Sequence, residues 1–560
     1  MKMGSAIPEK MLAWPLFGAG MEKLGKNDQP CEVKVPSINN DELLVRIDAI
    51  GLCFSDVKLI RAGEEHPRVI SKDLATDPVI PGHEAVMTVI KVGDKLKEEF
   101  KEGQRFIIQA DIYVKGKGYA YGYAIDGGMA QYSKIDQRIL NGDEGCYLLP
   151  IADDTPSAVA ALMEPWTCVK ASYMIENRKE PRKGGDLLVA TEAGNQKIYK
   201  AGELLKNNAP ATVTTINLSS AAVESLEKEL PSAKFEALSS VPEGKRFDDI
   251  FLCSLKRENA EVLGKTGKRG AAISFMGEYP DEAWAFDAGS IHYEGWFYQG
   301  SAGDDFSAAY GRNVRSKIKR GGTCWLPGGA GAMGQMHTQL AVESEDGPSR
   351  ILVSDMDNVR IENVKKLLAD TIKKRNIEFK TLNPASFESP AKFEEEVRNF
   401  APDGFDDIIM LVPVIPVLNS CSKFLKKDGL MNIFAGIPAG KEGALNVKGI
   451  ALGGMRFIGS SGSLTSHLRA TLRLVEEGKL NPVTALAAIG GMNDLKKGLD
   501  AVINAKFPGK TVIFPACEDM PLTPVQEISL MGEGLKETFS NNGFYTKATE
   551  AKLFEIFSKR

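Results

Sequence analysis

Four side chains in the first 170 positions are of the types that hold a catalytic metal: Cys53, His83, Glu84 and Glu164. Cys53 stands in Gly51-Leu-Cys53-Phe-Ser55-Asp56, a polar loop after a strand-like run. Pro81-Gly82-His83-Glu84 follows thirty residues later, Gly127-Gly128-Met129-Ala130 precedes another strand-like run, and Leu162-Met163-Glu164-Pro165 leads out of the region. Thiolate, imidazole and carboxylate are zinc ligands, and a catalytic zinc site takes three of them and leaves one position open. Taken singly, a cysteine more often fills a core and a glutamate more often sits in solvent. The joint pattern carries the weight.

A second constellation lies far along the chain. Gly329-x-Gly331-x-x-Gly334 follows the short apolar run Thr323–Leu326 and opens a helix from about Met333. In such a turn the first glycine permits the bend, the second lets backbone approach a pyrophosphate, and the third lets helix pack on strand. The N–H groups of the helix start, Ala332 and Met333 among them, then face the phosphates. Asp355 lies 21 residues beyond Gly334, at the end of a second strand. A carboxylate there accepts from ribose hydroxyls and repels a 2′-phosphate, which favours NAD(H) over NADP(H). Arg360, in the segment after that acid, is grouped with the cofactor-binding residues.

These residues need a scaffold. Residues 30–140 read as β-rich, with alternating runs such as Glu32–Val35 and Glu42–Ile50 set between Gly, Pro and Asn. From about 183 the chain alternates apolar strands with charged helical runs, as βαβ units of a parallel sheet do. Arg350–Val353, Asp407–Val412 and Gly429–Phe434 read as strands there, and Ile361–Lys374 as an amphipathic helix. The pattern also repeats. Phe247–Leu252 resembles Phe405–Leu411, Gly270–Gly277 corresponds to Gly429–Gly436, and Tyr298–Gly303 to Phe457–Gly462; the last two correspondences share an offset of 159 residues. The opening pairs Gly184-Gly185 and Gly321-Gly322 are 137 apart, so the later copy holds 22 extra residues in its middle. A nucleotide-fold module is thus duplicated in tandem. The earlier copy lacks the fingerprint. Glu192, Gly194 and Lys197 stand opposite the three glycines, and Asn217 falls near the position of Asp355, so this module is expected to bind no dinucleotide. After about 480, one helix at Asp494–Ile503 and one strand at Lys510–Phe514 precede a tail with two short helices.

The 560 residues exceed one ordinary core and imply roughly three domain-sized units. The chain is 43% apolar and 26% charged, with net charge −5 and no Lys/Arg block. No nucleic-acid partner is expected. Met11–Met21 is apolar but short and broken by Pro15 and glycines, so it reads as a strand and turn rather than a signal or membrane segment. The eight cysteines show no paired spacing, which suits a reducing, cytoplasmic setting.

Together these motifs resemble the zinc-dependent medium-chain dehydrogenase/reductase superfamily, especially its sorbitol and threonine dehydrogenase branch. The loop around Cys53, the Pro-Gly-His-Glu segment, Glu164-Pro165, the glycine turn and Ser354–Asp357 carry the likeness, over about 25–170 and 320–515. The resemblance implies an α/β protein with a GroES-like β-barrel catalytic domain, 1–168 completed by 481–518. A degenerate Rossmann-like module would span 169–318, an NAD-binding Rossmann domain 319–480 and a helical tail 519–560. It implies Cys53, His83 and Glu164 as zinc ligands with Glu84 adjacent or exchanging, Ser55 as the hydroxyl that relays the substrate proton, and Asp56 as the partner that orients His83. Two departures stand out. Residues 100–145 lack the four close cysteines of a structural zinc, so one catalytic zinc is expected. Lys58 stands where relatives often have a relay histidine, so either the proton exit departs from that of the relatives or Lys58 meets an anionic substrate.

The expected reaction is hydride transfer between NAD(H) and a secondary alcohol or ketone of a small molecule. A basic loop, with Lys58, Arg61, His66 and Arg68 and then Lys115 and Lys117, is either a solvated surface or a site for a polyol, sugar or sugar phosphate. Arg61 or Arg68 would take the phosphate. The rival readings are a zinc-free or NADPH-dependent carbonyl or quinone reductase of the same fold, and a non-enzymatic NAD(H)-binding scaffold. No membrane partner is expected, and the chain is expected to form a homo-oligomer.

Overall fold

The computed structural model describes residues 7–558 and divides into two compact units. The first holds residues up to Lys170 together with the return from Gly462 onward; the second runs from Ala171 to Ser461.

The first unit is built on an eight-stranded sheet. Its path runs Thr523–Pro524, Leu486–Gly491, Lys510–Phe514, Leu43–Leu52, Glu84–Val92, Arg105–Ile108, Leu148–Pro150, with Tyr132–Ile135 also pairing Leu43–Leu52. Leu43–Leu52 is the longest of these, and all but one of its residues are buried. β-branched and leucine side chains fill both faces, as a strand wrapped by loops and helices requires. The return therefore begins before residue 481, and its strand Lys510–Phe514 lies antiparallel beside Leu43–Leu52. The tail packs on this unit too. Glu550 of the Lys547–Phe557 helix accepts from the backbone N–H groups of Ser157 and Ala158, at 2.8 and 3.0 Å, and so caps the helix Ser157–Ala161.

In the second unit two six-stranded parallel sheets share one strand order. One runs Lys234–Leu238, Thr212–Ile216, Asp186–Thr191, Phe247–Cys253, Gly267–Met276, Phe297–Ser301; the other runs Glu378–Leu382, Arg350–Ser354, Thr323–Pro327, Phe405–Met410, Leu425–Ile433, Arg456–Ile458. Both have the 3-2-1-4-5-6 order of a dinucleotide fold. The repeated Phe-Asp-Asp sequence has a structural reason. Asp249 and Asp248 pair with Arg178 and Arg182, and Asp407 and Asp406 pair with Arg315 and Lys319, so each module ties its entry segment to its central strand in the same way.

The modules are joined by an antiparallel ribbon, Ala283–Asp287 against Glu442–Asn446. The offset of 159 carries the first strand onto the second. Ala283 pairs with Asn446 and Asp287 with Glu442, so Ala285 faces its own counterpart Ala444 at the centre. That register is two-fold symmetric, as in a contact between identical partners. The caps repeat as well: Asp287 accepts from Ser290 N and Asn446 from Gly449 N. Beneath the ribbon one apolar cluster runs through both modules, from Phe275 and Phe286 to Trp325 and Phe457. Among the described residues, no helix is long and apolar enough to cross a membrane.

Candidate active site

Adjacent strands of the first unit bring the metal-type side chains together. Gly51 pairs with Glu84 and Leu52 with Thr511, so Cys53, Glu84 and Lys510 emerge at one end of three neighbouring strands. Gly51 has no side chain for a spatial reason: a Cβ there would lie 2.1 Å from Glu84 Oε2. The Gly127–Met129 signal is explained by the same loop. Gly128 N and Met129 N donate to Gly82 O and Pro81 O, at 2.8 and 2.9 Å, and a Cβ on Gly127 would meet Gly82 O at 2.3 Å. This backbone clamp seats the loop that carries His83.

Cys53, His83 and Glu84 each offer a ligand atom, and those atoms lie within 4.8 Å of one another. Asp56 links two of the three. Its Oδ2 accepts from Cys53 N at 3.0 Å, in the capping box of the helix Phe54–Ala62, and its Oδ1 bonds His83 Nδ1 at 2.9 Å. With Nδ1 engaged, the other ring nitrogen is left for a ligand. Burial alone would push the His83 imidazole down, but Asp56, followed by Tyr123 and then by hydrogen bonding to Asp56 and Cys53, holds it well above its usual range. Glu84 is fully buried; its Oε1 accepts from Lys510, and its Oε2 has no hydrogen-bond partner. A buried, unpartnered carboxylate oxygen beside a thiol and an imidazole is costly unless a cation joins them, so the donor set fits zinc.

Glu164 stands outside that trio. It lies on the helix Met163–Ala171, where Cys168, one turn on, approaches its Oε1 with Sγ at 3.4 Å. Burial raises its pKa to about 7; His83 opposes that shift and Glu84 adds to it. Burial and the neighbouring Glu164 push the Cys168 thiol well up. Ser55 and Lys58 lie in the helix Phe54–Ala62, Ser55 partly buried and Lys58 exposed.

The sequence did not single out Lys510, Tyr123 or Cys168. Tyr123 is buried, its ring 5.8 Å from that of His83, 5.2 Å from that of His66 and 5.6 Å from the Arg68 guanidinium. Cys168 was within reach of sequence reasoning, since residues four apart share a helix face. Lys510 and Tyr123 were not, because only the folded sheet and loops bring them in.

The glycine turn in the second unit has the expected local form. The strand Thr323–Pro327 leads through Gly328, with φ of 80°, into the helix Ala332–Glu343, whose N-cap is Gly331. A Cβ on Gly334 would lie 2.0 Å from Gly328 O. Asp355 ends the next strand crossing; its Oδ2 accepts from Ala330 N at 3.3 Å and its Oδ1 from Asp357 N at 3.1 Å. Asp357 caps the helix Asn358–Arg375, and Arg360 Nε lies 3.6 Å from the Asp357 carboxylate. The earlier module differs at the same place. No helix follows Thr191 until Gly202, and Glu192 turns its carboxylate onto Lys256 N and Asn259 Nδ2, at 2.7 and 2.8 Å.

Comparison with known proteins agrees with this architecture. Residues 39–141 match the family model described as the alcohol dehydrogenase GroES-like domain. The chain is 25% identical over 540 residues to a mannitol-1-phosphate 5-dehydrogenase of Aliivibrio fischeri, covering 94% of each chain. It is also 25% identical over 326 residues to an L-sorbose 1-phosphate reductase of Klebsiella pneumoniae, covering 53% of this chain and 78% of that one. The fold resembles that of 2R,3R-butanediol dehydrogenase from Bacillus subtilis, with a TM-score of 0.51 and 13% identity, covering 90% of this chain and 99% of the other. With its GroES-like unit, its Rossmann-like parallel sheets and these relatives, the chain is similar to the zinc-dependent medium-chain dehydrogenase/reductase superfamily.

Proposed function

We propose that the protein is a zinc-dependent dehydrogenase that transfers a hydride between NAD(H) and a secondary alcohol or ketone of a polyol, sugar or sugar phosphate. The observation that carries this reading is the Cys53/His83/Glu84 cluster, half-buried at Cys53 and buried at the other two, with Asp56 bonded to both Cys53 and His83. The names of the relatives, a mannitol-1-phosphate dehydrogenase and an L-sorbose 1-phosphate reductase, point to the same substrate class.

In this reading Cys53, His83 and a carboxylate from Glu84 or Glu164 hold one zinc. When bound, zinc supplies Lewis acidity and the nicotinamide accepts the hydride. The protein's part is geometry and proton movement. Asp56 fixes the His83 ring and the start of the Cys53 helix. Ser55, in the first turn of that helix, takes the substrate hydroxyl proton, and Lys58, one turn on, stands exposed at the outlet. Gly329, Gly331 and Gly334 seat the pyrophosphate on the helix start with Ala332 and Met333. Asp355 meets the ribose and Arg360 lies beside it, which favours NAD(H).

The test is a panel of polyols, sugars and their phosphates, assayed for NADH and NADPH formation with zinc present, together with metal analysis of the purified chain. About one zinc per chain and NADH-linked turnover are expected, and both should be lost together in Cys53→Ser. Turnover that survives in Cys53→Ser with no zinc bound would sink the mechanism and leave the zinc-free reductase. Binding of NADH with no turnover of any compound would leave the scaffold.

A further inference from the structure

A cavity of about 290 Å³ opens in the first unit, lined by Pro67, Arg68, Ile70, Asp111, Tyr113 and Lys117. We propose that this cavity, with Arg68 as its main cation, holds the phosphate end of a polyol or sugar phosphate monoester. The inference rests on the reading of the protein as a polyol dehydrogenase and names the substrate group that selects among polyols.

Three observations support the assignment. First, Arg68 is held in place before any ligand arrives. Its Nη1 donates to Asp111 Oδ1 at 2.7 Å, and its guanidinium lies over the Tyr123 ring at 5.6 Å. A guanidinium anchored by one edge and one face keeps further N–H groups for phosphate oxygens, and less side-chain freedom is lost on binding. Second, the cavity is near the metal cluster. The Tyr123 ring that carries Arg68 is also 5.8 Å from the His83 ring, so a single aromatic side chain separates the cation from a metal ligand. Asp111 lies close enough to bear electrostatically on Glu164 and Cys168. In this assignment the phosphate on a terminal carbon lies at Arg68 and a carbon further along the same chain lies at the cluster. Third, the cavity is cationic on balance. Lys117 adds a second positive charge to that of Arg68, against the one carboxylate of Asp111. Asp111 is an acceptor, suited to a hydroxyl on the carbon next to the phosphate.

Arg61, the other arginine of the basic loop, does not line the cavity. It is exposed, with its guanidinium 5.8 Å from the centre of the Phe54 ring.

The test compares a hexitol 1-phosphate with the same unphosphorylated hexitol, using the full zinc-loaded chain. In Arg68→Gln the ratio of kcat/KM for the two is expected to fall by about a hundredfold, chiefly through KM, since a charge-assisted pair to phosphate is lost. Arg68→Lys should keep part of that ratio, and Arg61→Gln should keep all of it. Inorganic phosphate, read by calorimetry without turnover, should bind the wild type more tightly than Arg68→Gln. Turnover of the unphosphorylated hexitol reports that Arg68→Gln remains folded. A wild type that does not prefer the phosphorylated hexitol, or an Arg68→Gln ratio within about twofold of wild type, overturns the assignment of the cavity. A wild type that oxidises neither compound, nor any other polyol, overturns the dehydrogenase reading itself.

Discussion

Lys510 Nζ donates to Glu84 Oε1 at 2.5 Å, and both side chains are buried. The two residues lie 426 positions apart in the chain. Burial alone would pull the lysine's pKa down, but Glu84, followed by Cys53 and Glu164, holds it above the usual range. Lys510 is thus a buried positive charge beside Glu84, Cys53 and Glu164. Removing it in Lys510→Met leaves Glu84 buried without its counter-charge, which costs about 3–5 kcal/mol of stability. Urea denaturation should show that loss, and Glu84→Gln added to Lys510→Met should recover a good part of it. A single variant as stable as wild type would mean that Glu84 is charge-balanced from elsewhere.

Gly334 is the most demanding glycine of the nucleotide turn, because a Cβ there would meet Gly328 O at 2.0 Å. Gly334→Ala must therefore push the helix Ala332–Glu343 away from the turn. We expect NADH binding, followed by nicotinamide fluorescence, to weaken by about a hundredfold or more, while far-UV circular dichroism stays close to wild type. Glu192→Ala, in the earlier module, should leave NADH binding within about twofold. A large loss from Glu192→Ala would give the earlier module a part in dinucleotide binding.

How far the sequence foretold this site follows from where its signals lie. The short motifs are local, so the Cys53 loop, the Pro81–Glu84 loop, the glycine turn and Asp355 were all legible as strand ends and turns. The duplication was legible because the late matches share one offset of 159 residues and each copy opens on a glycine pair, and the two sheets do share one strand order. What stayed hidden depends on long-range pairing. Lys510 reaches Glu84 only through the register of Lys510–Phe514 on Leu43–Leu52, and Tyr123 reaches His83 from an irregular loop with no periodicity to read. The exact helix starts also depended on caps, as where Asp357 begins its helix at Asn358, ahead of the first apolar residue of the amphipathic pattern.

His337 predicts an acid sensitivity in the second unit. It sits in the helix Ala332–Glu343, fully buried, with Nδ1 bonded to Tyr173 Oη at 2.6 Å. Burial lowers its pKa to about 3, from 6.5 for a free side chain. Between those values the unfolded chain binds a proton that the folded chain does not. The stability tied to this group is therefore complete above pH 6.5 and is lost as pH falls below it. At pH 5.5 the loss amounts to about 1 kcal/mol for this site. Unfolding free energies from urea titrations at pH 7 and 5.5 should fall less in His337→Asn than in wild type by that amount. Parallel pH curves for the two proteins would show that the imidazole is protonated in the folded state.

The ribbon between Ala283–Asp287 and Glu442–Asn446 bears on self-association. Its register is that of two identical strands meeting across a two-fold axis, yet both strands belong to one chain. An edge already paired has no free N–H and C=O row to offer a second copy. We propose that this chain supplies its own partner at that edge, and that any homo-oligomer it forms uses a different surface. Cysteines placed by Ala285→Cys and Ala444→Cys would face each other at the centre, with Cβ atoms about 4.5–5.5 Å apart. A short bifunctional thiol reagent should then close a loop within one chain, giving a species of monomer mass with altered gel mobility that neither single variant gives. A covalent dimer from the double variant alone would show that the ribbon forms between chains and would overturn the proposal.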